Sequence, residues 1–104
     1  MTITYINATP HAISLNDGRT FEPSNTIARV SASFTEIKDD LCQQHFGEVT
    51  GLPPQQPNTR IIVSAMILAA LQGSRPDVVA PATGHPECIR NEMGHIISVP
   101  CFVQ

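Results

Sequence analysis

Charge is scarce in this sequence. Only 14% of the 104 residues are Asp, Glu, Lys or Arg, against about a quarter in an ordinary soluble protein. That shortage excludes a charge-driven disordered tail, a coiled coil and a basic nucleic-acid arm. Tryptophan is absent, and Tyr5, Phe21, Phe34, Phe46 and Phe102 are not interleaved with Arg or Lys. With a net charge of −3 and a pI near 5.7, general DNA or RNA binding is not expected. No apolar stretch approaches the roughly 18 residues of a membrane span. The longest, Ile61 to Leu71, is interrupted by Ser64 and has the length of a core segment. The segment Met1 to Asn7 lacks a basic n-region and a signal-peptide pattern, which predicts a cytoplasmic protein. Three widely spaced cysteines, Cys42, Cys88 and Cys101, do not make a disulfide framework and read as packed thiols. Neither a Gly-x-Gly-x-x-Gly nor a P-loop sequence occurs, so the common nucleotide cradles are missing.

What is present reads as one β-rich domain over 1–104. Residues 2–15 alternate β-branched and polar positions, forming one strand or two that meet at Thr9-Pro10. Asp17-Gly18 predicts a tight hairpin pairing Ala12–Leu15 with Arg19–Glu22. Another strand is expected over Thr26–Ser31. Ser33 followed by Glu36 has capping-box spacing, and Ile37, Leu41 and His45 recur at i, i+4, i+8, so a short amphipathic helix is expected over about 35–44. An extended excursion competes with it, because Thr35 and Ile37 are weak helix formers. Gly47–Leu52 returns to an extended form, and the proline-rich run 53–58 is a loop. Arg60–Val63 reads as a buried strand. Ser64 then caps a helix over 65–72 that Gly73 stops. That helix is apolar nearly all round, which predicts cover from the sheet or from another subunit. Val78-Val79 forms a brief strand, and Ile89-Arg90 with His95–Val99 makes a terminal hairpin around Asn91–Gly94. The sum is an α+β domain: a small, mostly antiparallel sheet or barrel-like unit with one or two short helices.

Several short segments stand out together: Thr9-Pro10-His11-Ala12-Ile13, Pro23-Ser24 with Ala28-Arg29-Val30, and Phe46-Gly47-Glu48-Val49-Thr50-Gly51-Leu52-Pro53. Ile62-Val63-Ser64-Ala65, Arg75-Pro76-Asp77-Val78-Val79 and Arg90-Asn91-Glu92 with Gly94 complete the pattern. In order and spacing they resemble a family of small proteins common in tailed-phage genomes and prophages. The resemblance covers nearly the whole chain; the family has no assigned enzymatic activity, so the resemblance supplies no catalytic residues to carry over. The chain departs from it at 32–45, which reads as helical here, and in the additional His and Cys at 85–88.

Among chemistry-bearing residues, Ser64 lacks the flanking glycines of a nucleophile elbow and reads as a helix cap. His45, His85, Cys88 and His95, with Cys42 or Cys101, are zinc-type ligands. Only Cys42-x-x-His45 and His85-x-x-Cys88 have knuckle-like spacing, and no metal or other cofactor is expected. The arginines are more informative. Arg29, Arg60, Arg75 and Arg90 adjoin apolar strands or proline-rich loops, where guanidinium can grip phosphate or carboxylate in bidentate fashion. The competing reading pairs Arg75 with Asp77 and Arg90 with Glu92. His11, beside Asn7 and Thr9, either satisfies backbone groups at a bend or touches a ligand. The expected ligand-binding set is therefore Arg29, Arg75, Arg90, His11 and Asn91. The expected function is a non-enzymatic phage protein acting in the host cytoplasm. It would counter antiviral defence by sequestering a small anionic, nucleotide-like signal or by blocking a defence protein. A virion structural or assembly protein and a small metal-dependent hydrolase are the alternatives. A short chain has little room for a deep pocket, so ligands are expected between subunits of a homo-oligomer.

Overall fold

Two apolar runs, Ile61-Ile62-Val63 and Val78-Val79-Ala80, have no polar alternation, the pattern of strands covered on both faces. In the computed structural model, which describes residues 2–104, they form the centre of a four-stranded sheet. Its members are β1 (Thr4–Asn7), β6 (Thr59–Ile62), β7 (Val78–Pro81) and β10 (Phe102–Val103). Spatial order is β1-β6-β7-β10; β1 and β7 both run parallel to β6, and β10 closes the edge antiparallel to β7. Three antiparallel hairpins surround this sheet. They are β2 (Ile13–Ser14) with β3 (Thr20–Phe21), β4 (Arg29–Phe34) with β5 (Gln44–Thr50), and β8 (Ile89–Arg90) with β9 (Ile96–Ser98). The fold is α+β, with strand pairing mostly antiparallel and no closed barrel among the described residues.

The helix α1 (Ala65–Leu71) crosses from β6 to β7. Ser64 is its N-cap, its hydroxyl accepting from the Ile67 amide at 3.4 Å, and Gln72 and Gly73 end it at φ 51° and 78°. One face of the sheet, carrying Ile61, Val63 and Val78, packs against Ile67, Ala8 and Ala28, with Val30, Val49, Leu52, Leu68 and Leu71 around them. The cover over α1 is narrower than its composition predicts. Only Ile67 is buried, while Ala65, Ala69 and Met66 face outward.

The expected helix over 35–44 does not form. Residues 29–50 make a long two-stranded hairpin instead, so strand β4 starts and ends three residues beyond the expected Thr26–Ser31. Ser33, the expected cap, pairs across the ribbon with His45. The reason is competition for backbone partners. Gln44–Thr50 supplies a full ladder to β4, and a three-position apolar repeat over weak helix formers cannot match it. The Asp17-Gly18 hairpin forms in the expected register, but with a three-residue loop. Leu15 pairs with Arg19, the Gly18 amide donates to Leu15 O at 3.0 Å, and only Gly18 has positive φ. That combination, a turn followed by a left-handed Gly, is the usual three-residue hairpin geometry.

Candidate functional site

Asn7 is the best-satisfied polar side chain in the molecule. It is buried at the end of β1, where its Nδ2 donates to His11 O at 2.8 Å and Phe21 O at 2.9 Å. Its Oδ1 accepts from the Thr9 amide at 3.0 Å and the Thr9 hydroxyl at 2.6 Å. All four hydrogen-bonding positions of the amide are used. His11 enters this network through its carbonyl, which also accepts from the Thr9 hydroxyl, while its residue stays exposed. The Asn-Thr-His cluster thus fixes the bend that carries the chain from β1 to the β2–β3 hairpin.

Arg75 and Asp77 form a bidentate ion pair, Nε to Oδ1 at 3.0 Å and a terminal nitrogen to Oδ2 at 2.8 Å. The same terminal nitrogen donates to Pro53 O at 2.9 Å, tying the proline-rich loop to the start of β7. The Asp77 side chain is 5% exposed and that of Arg75 23%. Hydrogen bonding to Arg75 holds the Asp77 carboxyl below its ordinary range against the opposing pull of burial, and Asp77 in turn raises Arg75. Arg75 is engaged inside the fold.

Arg90 does not pair with Glu92. Its two terminal nitrogens donate to Gly94 O and Thr83 O, each at 3.0 Å, clamping the β8–β9 hairpin to the loop before it. Asn91 Oδ1 accepts from the Met93 and His95 amides and organises that turn. Through Thr83 O, Arg90 reaches the loop that His11 also borders. His11 and Thr83 line a groove of about 290 Å³ there with Ile96 and Ile97. Arg29 stands apart at the root of the β4–β5 ribbon, exposed and with no ion-pair partner among the described residues. The five expected positions therefore do not form one site.

The zinc-type residues are also dispersed. Cys42 and His45 lie on the ribbon, His85 and Cys88 on the loop before β8, and His85 Nδ1 accepts from the Glu87 amide at 3.0 Å. No cluster of three or more His, Cys, Asp or Glu with metal-holding geometry occurs among the described residues.

A different constellation emerges on the sheet face opposite α1. Parallel pairing of β1 with β6 puts Tyr5 beside Arg60, and the guanidinium donates to the Tyr5 hydroxyl at 2.9 Å. The Arg60 guanidinium carbon is 5.9 Å from the Tyr5 ring centroid, within cation–π range. Tyr5, Phe21 and Phe102 form an aromatic cluster with centroids 4.8 to 5.8 Å apart. Tyr5, Phe102, Arg60, Arg19, Cys101 and Gln104 border a pocket of about 380 Å³ over Val79, within the range of small-ligand sites. Arg60 is half-buried, with no carboxylate partner among the described residues. Arg19 uses Nε for Asp17 at 2.9 Å, an exposed pair, which leaves its terminal nitrogens open. The Arg19 backbone amide, ahead of its guanidinium, lowers the Asp17 carboxyl. The Arg60 guanidinium beside the Tyr5 ring, with Arg19 lining the same pocket, suits a ligand with a planar ring and a negative group. Of these residues, Arg60 stood among the arginines singled out from sequence. Its pairing with Tyr5, 55 positions away, depends on strand order.

No family model, curated protein or solved structure matches the chain. No helix among the described residues is long and apolar enough to cross a membrane.

Proposed function

We propose that the protein is a non-enzymatic binding protein that holds a small anionic, nucleotide-like ligand in the Arg60–Arg19 pocket. The carrying observation is the half-buried Arg60 guanidinium, unpaired with any carboxylate among the described residues, hydrogen-bonded to Tyr5 and sharing a pocket with Phe102. A base or other planar ring would lie along the aromatic side, and phosphate oxygens would take the open nitrogens of Arg60 and Arg19. Joined to the resemblance of the chain to small tailed-phage proteins, this supports a role in the host cytoplasm. There it would withdraw a nucleotide signal from antiviral defence by binding it without cleavage.

The test is thermal-shift titration and native mass spectrometry of the full chain with cyclic dinucleotides and ADP-ribose derivatives. Binding is expected to raise Tm, to disappear in Arg60→Ala, and to persist in Arg29→Ala, with intact ligand recovered on denaturation. Recovery of cleaved ligand would replace the binding reading with an enzymatic one. A response equally lost in Arg29→Ala would move the site to the ribbon.

A further inference from the structure

Arg60 borders two pockets. One is the aromatic pocket of about 380 Å³ over Val79; the other, of about 350 Å³, opens beside the proline-rich loop. Arg60 is the one lining residue that the two share. Chain order explains this. Asn58 and Thr59 lead from Gln55, Gln56 and Pro57 directly into Arg60 and β6. The loop is tethered at both ends, since Arg75 donates to Pro53 O at 2.9 Å and the Thr4 amide to Asn58 O at 2.7 Å. Gln55 and Gln56 are therefore exposed side chains on a loop of fixed position.

The two linings differ in chemistry. Tyr5 and Phe102, with ring centroids 5.4 Å apart, and a second guanidinium, Arg19, line the first. The second has no aromatic ring and is walled by the amides of Gln55, Gln56 and Asn58 and by the Asp77 carboxylate. Apart from Arg60, Asp77 is its only charged lining group among the described residues. A carboxylate repels phosphate and accepts from hydroxyls, while primary amides both donate to hydroxyls and accept from them. A second base would find no ring to lie on there. An uncharged, hydroxyl-rich unit suits this lining.

We infer that the two pockets form one two-lobed site for a nucleoside diphosphate sugar. The base lies against Tyr5 and Phe102, the diphosphate at Arg60, and the sugar among Gln55, Gln56 and Asn58. This rests on the Arg60 pocket as the binding site and names the ligand class it takes. The charged middle of such a ligand falls at the residue common to both lobes. One Arg60 terminal nitrogen is committed to the Tyr5 hydroxyl at 2.9 Å, and the rest of the fork serves phosphate oxygens. Each lobe is near the lower end of the roughly 300–1,000 Å³ of small-ligand sites, so each takes one ring unit of the ligand.

Isothermal titration calorimetry of the full chain with matched nucleotides tests this: ADP with ADP-ribose, UDP with UDP-glucose, GDP with GDP-mannose. At least one sugar-bearing member is expected to bind the native chain and to lose binding in Arg60→Ala. Gln55→Ala/Gln56→Ala is expected to weaken that member about fivefold to tenfold, through two lost hydrogen bonds. The parent diphosphate should stay within about twofold, which also shows that the variant is folded. A paired Gln change that spares both members, or weakens both alike, would remove the sugar lobe and leave the Arg60 pocket standing. Binding of the parent diphosphates alone would do the same. No binding by any of these nucleotides, or binding that Arg60→Ala leaves intact, would overturn the pocket itself and the sugar lobe with it.

Discussion

Asp77 and Arg75 illustrate how a residue pair can be chemically eye-catching and still belong to the scaffold. The guanidinium is held by two carboxylate bonds and by Pro53 O, so the start of β7 and the loop 53–58 share one anchor. Arg75 brings the pattern that a phosphate site would need, but the pattern is already satisfied within the chain. The consequence is measurable as pH dependence. The Asp77 carboxyl lies below its ordinary value of 3.8 in the folded chain. Its contribution to stability is therefore complete above about pH 4 and is lost as pH falls through its depressed folded value. Asp77→Asn is expected to cost about 2–3 kcal/mol at pH 7, because it leaves a partly buried guanidinium without its carboxylate. The same substitution should cost much less near pH 2. Urea denaturation of both proteins at the two pH values checks this, and equal losses at both would assign the effect to packing.

At the scale of elements, the parts legible in the sequence were those whose determinants are local. The β6–α1–β7 crossover follows from an apolar run, a Ser cap, strong helix formers and a left-handed stop, all within Arg60 to Val79. The Asp17-Gly18 and Asn91–Gly94 turns were legible for the same reason, through glycines with positive φ. The β4–β5 arm was not, because its conformation is decided by pairing across Val30↔Val49 to Phe34↔Gln44 and not by the residues of either strand alone. The candidate site was the least legible part, since Tyr5 and Arg60 meet only through parallel pairing of β1 with β6. The arm also holds the chief local conflict in the chain. Its tip is a two-residue turn, Lys38 and Leu41 exchanging hydrogen bonds of 2.8 and 2.9 Å around Asp39 at φ 53° and Asp40 at φ 65°. Both central residues occupy left-handed backbone that Asn-Gly adopts at lower cost. Replacing Asp39-Asp40 with Asn-Gly should stabilise the tip by about 1 kcal/mol, which slows amide exchange at Lys38 and Leu41 about fivefold. Hydrogen exchange by NMR reads this directly, and unchanged rates at both amides would mean that the turn carries no strain.

For the whole molecule, the sheet and the arm divide the work between them. The buried residues Ala8, Ala28, Ile61, Val63, Ile67 and Val78 lie wholly outside 31–48, and Val30 and Val49 are the last arm residues to touch them. Gly51 secures the joint below the arm, at φ 84°, where a Cβ would clash with Ile27 O. The Arg60 pocket, lined by β1, β6, β10 and the β2–β3 hairpin, draws no residue from the arm. Folding and ligand binding should therefore survive without the arm. A chain in which Asn-Gly joins Val30 directly to Val49 tests both statements at once. It is expected to unfold cooperatively within a few degrees of the native Tm and to retain the Arg60-dependent thermal shift, because burial outside the arm is unchanged. Loss of the thermal shift with folding intact would instead place part of the ligand site on the arm.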